Sequence, residues 1–126
     1  RLDSPLATLL HAAATGTLAD VPTLQWSDDA AVCVVVAAQG YPESPVTGGV
    51  ITGLAEADAV DGVDVLHAGT RADGDQVVSS GGRVLSVVGR GPSIEAARER
   101  AYAGVALIDL PESHHRTDIA GADPAF

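Results

Sequence analysis

The chain contains no lysine and no methionine, and its 126 residues include one cysteine, one tryptophan, two tyrosines and one phenylalanine. Without lysine there is no P-loop ammonium to grip a phosphate. The seven basic residues are all arginine, and seventeen acids set them at a net charge of −10. That balance excludes a nucleic-acid surface or an anionic membrane surface, both of which need many cations. A lone cysteine forms no internal disulfide, and a reducing cytoplasm is the expected compartment. Cys33 stands within a run of valines, where it reads as a small buried hydrophobe. Scarce aromatics leave the core to Ala and Val, with Trp26 as a packing anchor. No apolar run approaches the roughly 20 residues of a membrane helix, and Arg1-Leu2-Asp3-Ser4-Pro5 opens no apolar signal segment. The missing methionine makes Arg1 an expected internal position of a longer polypeptide.

What is present is a folded composition, 46% hydrophobic. Ser4-Pro5 reads as a helix start, hydroxyl cap and then proline at the first helical position. Leu6, Leu9, Leu10, Ala13 and Ala14 follow as one stripe, and Gly16 is the stop. Residues 31–38 are continuously apolar, which predicts a central strand covered on both faces. Residues 39–48, with Pro42 and Pro45, form a long loop, followed by a short strand at 49–51 and a short helix at 54–60. Segments 63–71 and 77–89 read as two antiparallel strands with Asp73-Gly74 in the turn. The last helix begins after Pro92-Ser93 and carries an apolar stripe of Ile94, Ala97, Ala101, Tyr102, Val105 and Ile108. Glu95, Arg98, Glu99 and Arg100 form its solvated side, and Pro111 stops it. Helices at both ends of mostly antiparallel strands define an α+β domain over residues 1–119, with a loose tail at 120–126.

The chemistry-bearing stretch is Ser79-Ser80-Gly81-Gly82-Arg83 ahead of an apolar strand. Adjacent glycines leave amide N–H groups open to a ligand, and an arginine beside them supplies a planar charged fork for phosphate or carboxylate. One hairpin upstream lies His67-Ala68-Gly69-Thr70. The candidate ligand wall is therefore His67, Gly69, Thr70, Ser80, Gly81, Gly82 and Arg83, with Tyr41 a second-rank contact. A solvated arginine beside a tight turn, and a structural histidine in the sheet, account for the same letters. His114 and His115 are adjacent and point different ways, so a metal site is not expected. Neither a Gly-x-Ser-x-Gly elbow nor a dinucleotide glycine motif occurs, so the chain carries no complete catalytic apparatus.

Four segments in order resemble the C-terminal domain of the phosphoribosylamine–glycine ligases, of the ATP-grasp superfamily. They are the stretch from Ala31 to Pro42, Gly49-Val50-Ile51-Thr52-Gly53-Leu54, the strand holding His67 to Thr70, and Ser80 to Val87. The resemblance implies a ligase joining glycine to 5-phosphoribosylamine in purine biosynthesis, with ATP cleaved to ADP and phosphate through an acyl phosphate of glycine. It implies that ATP and magnesium (or manganese) are held by segments upstream of Arg1-Leu2 and by none of these residues, so the chain alone is expected to be inactive. It implies that Arg83 and its glycines contact the ribose phosphate. The loop after Tyr41-Pro42 lacks the lysine common in the family. His115-Arg116-Thr117-Asp118-Ile119-Ala120 departs from the family's Tyr-Arg-Arg-Asp-Ile-Gly, which leaves Arg116 and Asp118 as structural residues. The other readings are a stand-alone module binding a small anionic metabolite, and the equivalent domain of another ATP-grasp ligase or carboxylase.

Overall fold

The computed structural model describes residues 1–121; the remainder of the expected tail, 122–126, lies outside the described residues. Three helices, α1 (Leu6–Thr15), α2 (Leu54–Asp58) and α3 (Ile94–Leu107), accompany six strands. The strands are β1 (Ala30–Ala37), β2 (Val50–Ile51), β3 (Val63–His67), β4 (Thr70–Asp73), β5 (Gln76–Ser79) and β6 (Arg83–Gly91). They form two antiparallel three-stranded sheets, ordered β1-β6-β3 and β2-β5-β4. This is the α+β arrangement expected from the sequence.

The two strands expected at 63–71 and 77–89 are four. β3 pairs with β6 and β4 with β5, so one long hairpin bends from the first sheet into the second. It bends at Gly69 and Ser80–Gly82, where the two chains cross closely. A Cβ on Gly69 would lie 2.7 Å from the Arg83 carbonyl oxygen and 2.9 Å from the Gly81 Cα. Only glycine allows that approach. The Ser80 amide donates to the Gly69 oxygen at 2.7 Å, and the Gly69 amide to the Arg83 oxygen at 2.9 Å.

β6, not β1, is the central strand; β1 is an edge. α3 lies on one face of the first sheet and packs against β6 and β1. Val32, Val34 and Val36 are buried beneath it while Ala31, Cys33 and Val35 are exposed on the other face. A run of valines is apolar on both sides of the pleat, so its letters cannot tell one covered face from two. Cys33 is accordingly exposed and not a core residue. The seam under α3 is built from absent side chains. A Cβ on Gly89 would lie 2.2 Å from the Ala97 carbonyl oxygen, and one on Gly104 would lie 2.8 Å from Val63 Cγ1 and 2.9 Å from Val87 Cγ1. Ala97 and Ala101 are fully buried there, against Leu85 and Val87. This is how a chain poor in aromatics builds a dense core: small residues draw helix and strand together until the valines interdigitate.

α1 departs further from expectation. Pro5 occupies the cap position, and the Ser4 hydroxyl accepts from the Gln25 amide at 2.8 Å instead of capping the helix. Gly16 ends the helix with φ +73°, as its sequence position predicts. The leucine stripe is not buried: Leu6 is 59% and Leu10 62% exposed, and Trp26, read as an anchor, is 60% exposed. Periodicity locates a face that can pack; it does not say which surface covers it.

α3 begins as read, with the Ser93 hydroxyl accepting from the Ala96 amide at 3.3 Å. It ends at Leu107, before Pro111, and Ile94 stays outside the core, 47% exposed. Its charged side is not purely solvated. Arg100 donates to the Arg90 oxygen at 2.7 Å and reaches Asp61 at 3.1 Å. Arg98 stacks over the Tyr102 ring and donates to the Thr117 and Ile119 oxygens, each at 3.0 Å. The Tyr102 hydroxyl donates to the Arg116 oxygen at 2.8 Å and accepts from the Ile119 amide at 3.1 Å. α3 therefore fastens the segment after it. Tyr102→Phe removes both bonds and is expected to cost about 1 kcal/mol, with hydrogen exchange at the Ile119 amide accelerating. Unchanged protection of that amide would show that Arg98 alone suffices.

Candidate functional site

Strand alternation would place Arg83 on the same face as Leu85 and Val87, towards α3. A β-bulge prevents this. Val36 pairs with Leu85 but Ala37 pairs with Arg83, so Val84 is the extra residue on β6. Val84 and Leu85 are consecutive and both fully buried, the mark of a broken alternation. The bulge shifts Arg83 to the parity of Ser86 and aims it over the open face of the sheet, a re-aiming that bulges often perform. No single letter signals this. The nearest clue in the sequence is two apolar residues in succession after Arg83.

A hollow of about 600 Å3 lies at that end of the open face, lined by Val35, Tyr41, Ala68, Gly69, Gly82, Arg83 and Ser86. Of the expected wall, Gly69, Gly82 and Arg83 are thus brought together, joined by Tyr41. Val35 and Ser86 were not anticipated, and Ala68 lies within the expected His67-to-Thr70 stretch without having been singled out. Ser86 could have been found as the one hydroxyl in an apolar strand. His67 and Thr70 do not line the hollow; their Nδ1 and Oγ1 atoms lie 3.0 Å apart on an exposed corner of the hairpin. Ser80 is exposed beside it, and Gly81 packs on Gly69, where a Cβ on Gly81 would lie 3.3 Å from the Gly69 Cα.

Neither Gly81 nor Gly82 has a positive φ, so the left-handed residue of an amide nest is lacking. The two glycines make room instead. A Cβ on Gly82 would lie 2.4 Å from Tyr41 Cδ2 and 3.1 Å from Pro45 Cγ. The Tyr41 ring therefore rests on the Gly82 backbone, and the Ala38 amide donates to the Gly82 oxygen at 2.8 Å. The Gly81 and Gly82 amides themselves donate to no acceptor among the described residues.

Six of the seven arginines are engaged. Arg1 donates to the Ser27 oxygen, Arg98 to tail carbonyls, and Arg71, Arg90, Arg100 and Arg116 pair with Asp73, Asp64, Asp61 and Asp118. Among the described residues Arg83 alone has neither a hydrogen-bond nor an ion-pair partner for its side chain, and the Tyr41 and Ser86 hydroxyls also lack one. Permanent charge, two unpartnered hydroxyls and the free Gly82 amide at one hollow form a donor-rich surface suited to an oxyanion.

A second hollow of about 240 Å3 lies across Arg83 and Tyr41 from the first, and both share Val35. Its far side is Ala37, His114, His115 and Arg116. The bonded pairing of His114 with Ala37, at 2.9 and 2.8 Å, sets this segment beside β1. Arg116 is held by Asp118, whose hydrogen bonding to the guanidinium keeps that carboxyl below its ordinary range. Among the described residues no group of three or more His, Cys, Asp or Glu is placed to hold a metal ion. The described residues therefore do not fit the implied magnesium.

The fold and hollow define an α+β domain that presents an oxyanion-suited surface on the uncovered side of its main sheet. Residues 31–122 match the family model described as phosphoribosylglycinamide synthetase, C domain, and the chain belongs to that family. It is 62% identical over 122 residues to a phosphoribosylamine–glycine ligase of Streptomyces coelicolor, covering 95% of this chain and 29% of that protein. A Mycobacterium tuberculosis protein of the same name is 55% identical over 119 residues, with 94% and 27% covered. A crystal structure of phosphoribosylamine–glycine ligase from Thermotoga maritima superimposes with a TM-score of 0.62 at 35% identity, covering 71% of this chain and 21% of that one. The chain thus spans less than a third of the length of these relatives.

Proposed function

We propose that this chain, residues 1–119 with a tail at 120–126, serves as the C-terminal domain of a phosphoribosylamine–glycine ligase. The proposed reaction forms an amide between the glycine carboxylate and the amine of 5-phosphoribosylamine, with ATP going to ADP and phosphate, in the purine pathway of the cytoplasm. The observation that carries it is the 62% identity to a protein of that name along 95% of this chain. ATP and its magnesium belong, in this reading, to segments that precede these residues.

The role of this domain is to bind and orient. Arg83, the free Gly82 amide and the two hydroxyls receive the ribose phosphate, with Gly81 next to them in the chain, while the open sheet face closes one side of the reaction cleft and excludes water. His67, Thr70 and Ser80, which do not line the hollow, meet substrate in this reading only when the enzyme closes. No helix among the described residues is long and apolar enough to cross a membrane.

The test is turnover by the polypeptide that carries this chain. ADP release should require glycine and 5-phosphoribosylamine together and yield glycinamide ribonucleotide. Release driven by a different carboxylate or amine would assign it to another ATP-grasp ligase. Absence of ATP cleavage, with retained phosphate binding, would leave a metabolite-binding module.

A further inference from the structure

The two hollows that meet at Arg83 differ in chemistry. The first offers charge, hydroxyls and amides. The second is walled mostly by carbon: the Val35 and Ala37 side chains, the Tyr41 ring and two imidazoles. The His114 main chain is set by its backbone pairing with Ala37, and the exposed His115 ring lies 6.1 Å from the Tyr102 ring, tilted at 51°.

We propose that the second hollow is a base slot, and that the two together bind a nucleoside 5′-monophosphate: phosphate and ribose on the Arg83 side, ring between Tyr41 and the His114-His115 segment. The inference rests on the reading of the first hollow as a ribose-phosphate site. Three features favour this occupant. The nucleotide carries the same ribose 5-phosphate head that the first hollow is read to take. Its planar ring suits a mostly apolar hollow of about 240 Å3 lined by Tyr41, His114, His115 and a guanidinium. Arg83, the one arginine without a side-chain partner among the described residues, supplies the positive charge that a chain of net −10 otherwise denies a phosphate ligand. Such a nucleotide occupies the sugar-phosphate position without an amine to react, so it acts as a competitive inhibitor against 5-phosphoribosylamine.

The test is a titration of the isotope-labelled chain, followed by NMR, with ribose 5-phosphate, adenosine 5′-monophosphate and adenosine. Ribose 5-phosphate should move the Gly82, Arg83 and Ser86 signals. The monophosphate should move those and the His114 and His115 signals, with about tenfold tighter binding from ring stacking. The double variant His114→Ala, His115→Ala should lose that margin and keep the ribose 5-phosphate affinity. Equal affinities for the two phosphates, or a margin that survives the double variant, would overturn the base slot and leave the first hollow's reading intact. If ribose 5-phosphate itself leaves Arg83 unmoved, both fall.

Discussion

Arg83→Ala is expected to raise KM for 5-phosphoribosylamine by about tenfold to a hundredfold and leave kcat nearly unchanged, in the polypeptide that carries this chain. The size follows from losing charge-assisted hydrogen bonds of about 1.5–3 kcal/mol. The split follows from the position of the group. A guanidinium that holds the phosphate, remote from the amine that reacts, binds ground state and transition state alike, and its loss appears in KM. Arg83→Lys should recover only part of the affinity, because an ammonium supplies a point charge without the planar fork. The KM for glycine serves as the internal control. Equal rises in both constants would mean that the loop has collapsed, and no rise at all would remove Arg83 from the site. The bulge at Val84 makes this variant informative, since Arg83 has no structural partner among the described residues whose loss could confuse the result.

Gly89→Ala is expected to be among the most damaging small substitutions in the core. The added methyl would lie 2.2 Å from the Ala97 oxygen and 2.4 Å from the Ala101 nitrogen, both helix backbone. Backbone cannot rotate aside as a side chain can, so α3 must lift from β6. Overpacking of side chains costs about 1–3 kcal/mol, occasionally more, and a clash against helix backbone belongs at the upper end. A loss of about 3 kcal/mol corresponds to a fall in Tm of roughly 10 °C or more for a domain of this size. Gly74→Ala is the contrasting comparison. Gly74 has a positive φ, +60°, which Gly89 lacks, and open space around it, so its cost should be confined to backbone strain of about 1 kcal/mol. If thermal melts rank Gly74→Ala below Gly89→Ala in stability, the close seam is not what holds α3 down.

The letters of the sequence located most of the elements, because glycine, proline and apolar period act locally. Gly16, Ser93 and the stripe of Ala97, Ala101 and Val105 each sit where their own chemistry places them. What escaped was relational. Cys33 and Val35 look as buried as Val34 until the helices are known to share one side of the sheet. The exposed leucines of α1 have the right period and no partner surface among the described residues. At the candidate site, Gly69, Gly82 and Arg83 could be grouped because their types suit an anion. His67 and Thr70 share the motif and yet face each other across the hairpin corner. Ser86 and Ala68 reach the hollow only through strand register, which depends on the bulge.

The exposed position of the one cysteine has a practical consequence. Cys33 lies on the uncovered face of β1, two residues from the Val35 that both hollows share, and pairs across the sheet with Val88. On this chain a thiol-directed fluorophore will therefore attach at a single known point beside the candidate site. Its emission reports on whether the open sheet face is wet or covered, and so turns an unpaired side chain into an optical gauge of ligand entry.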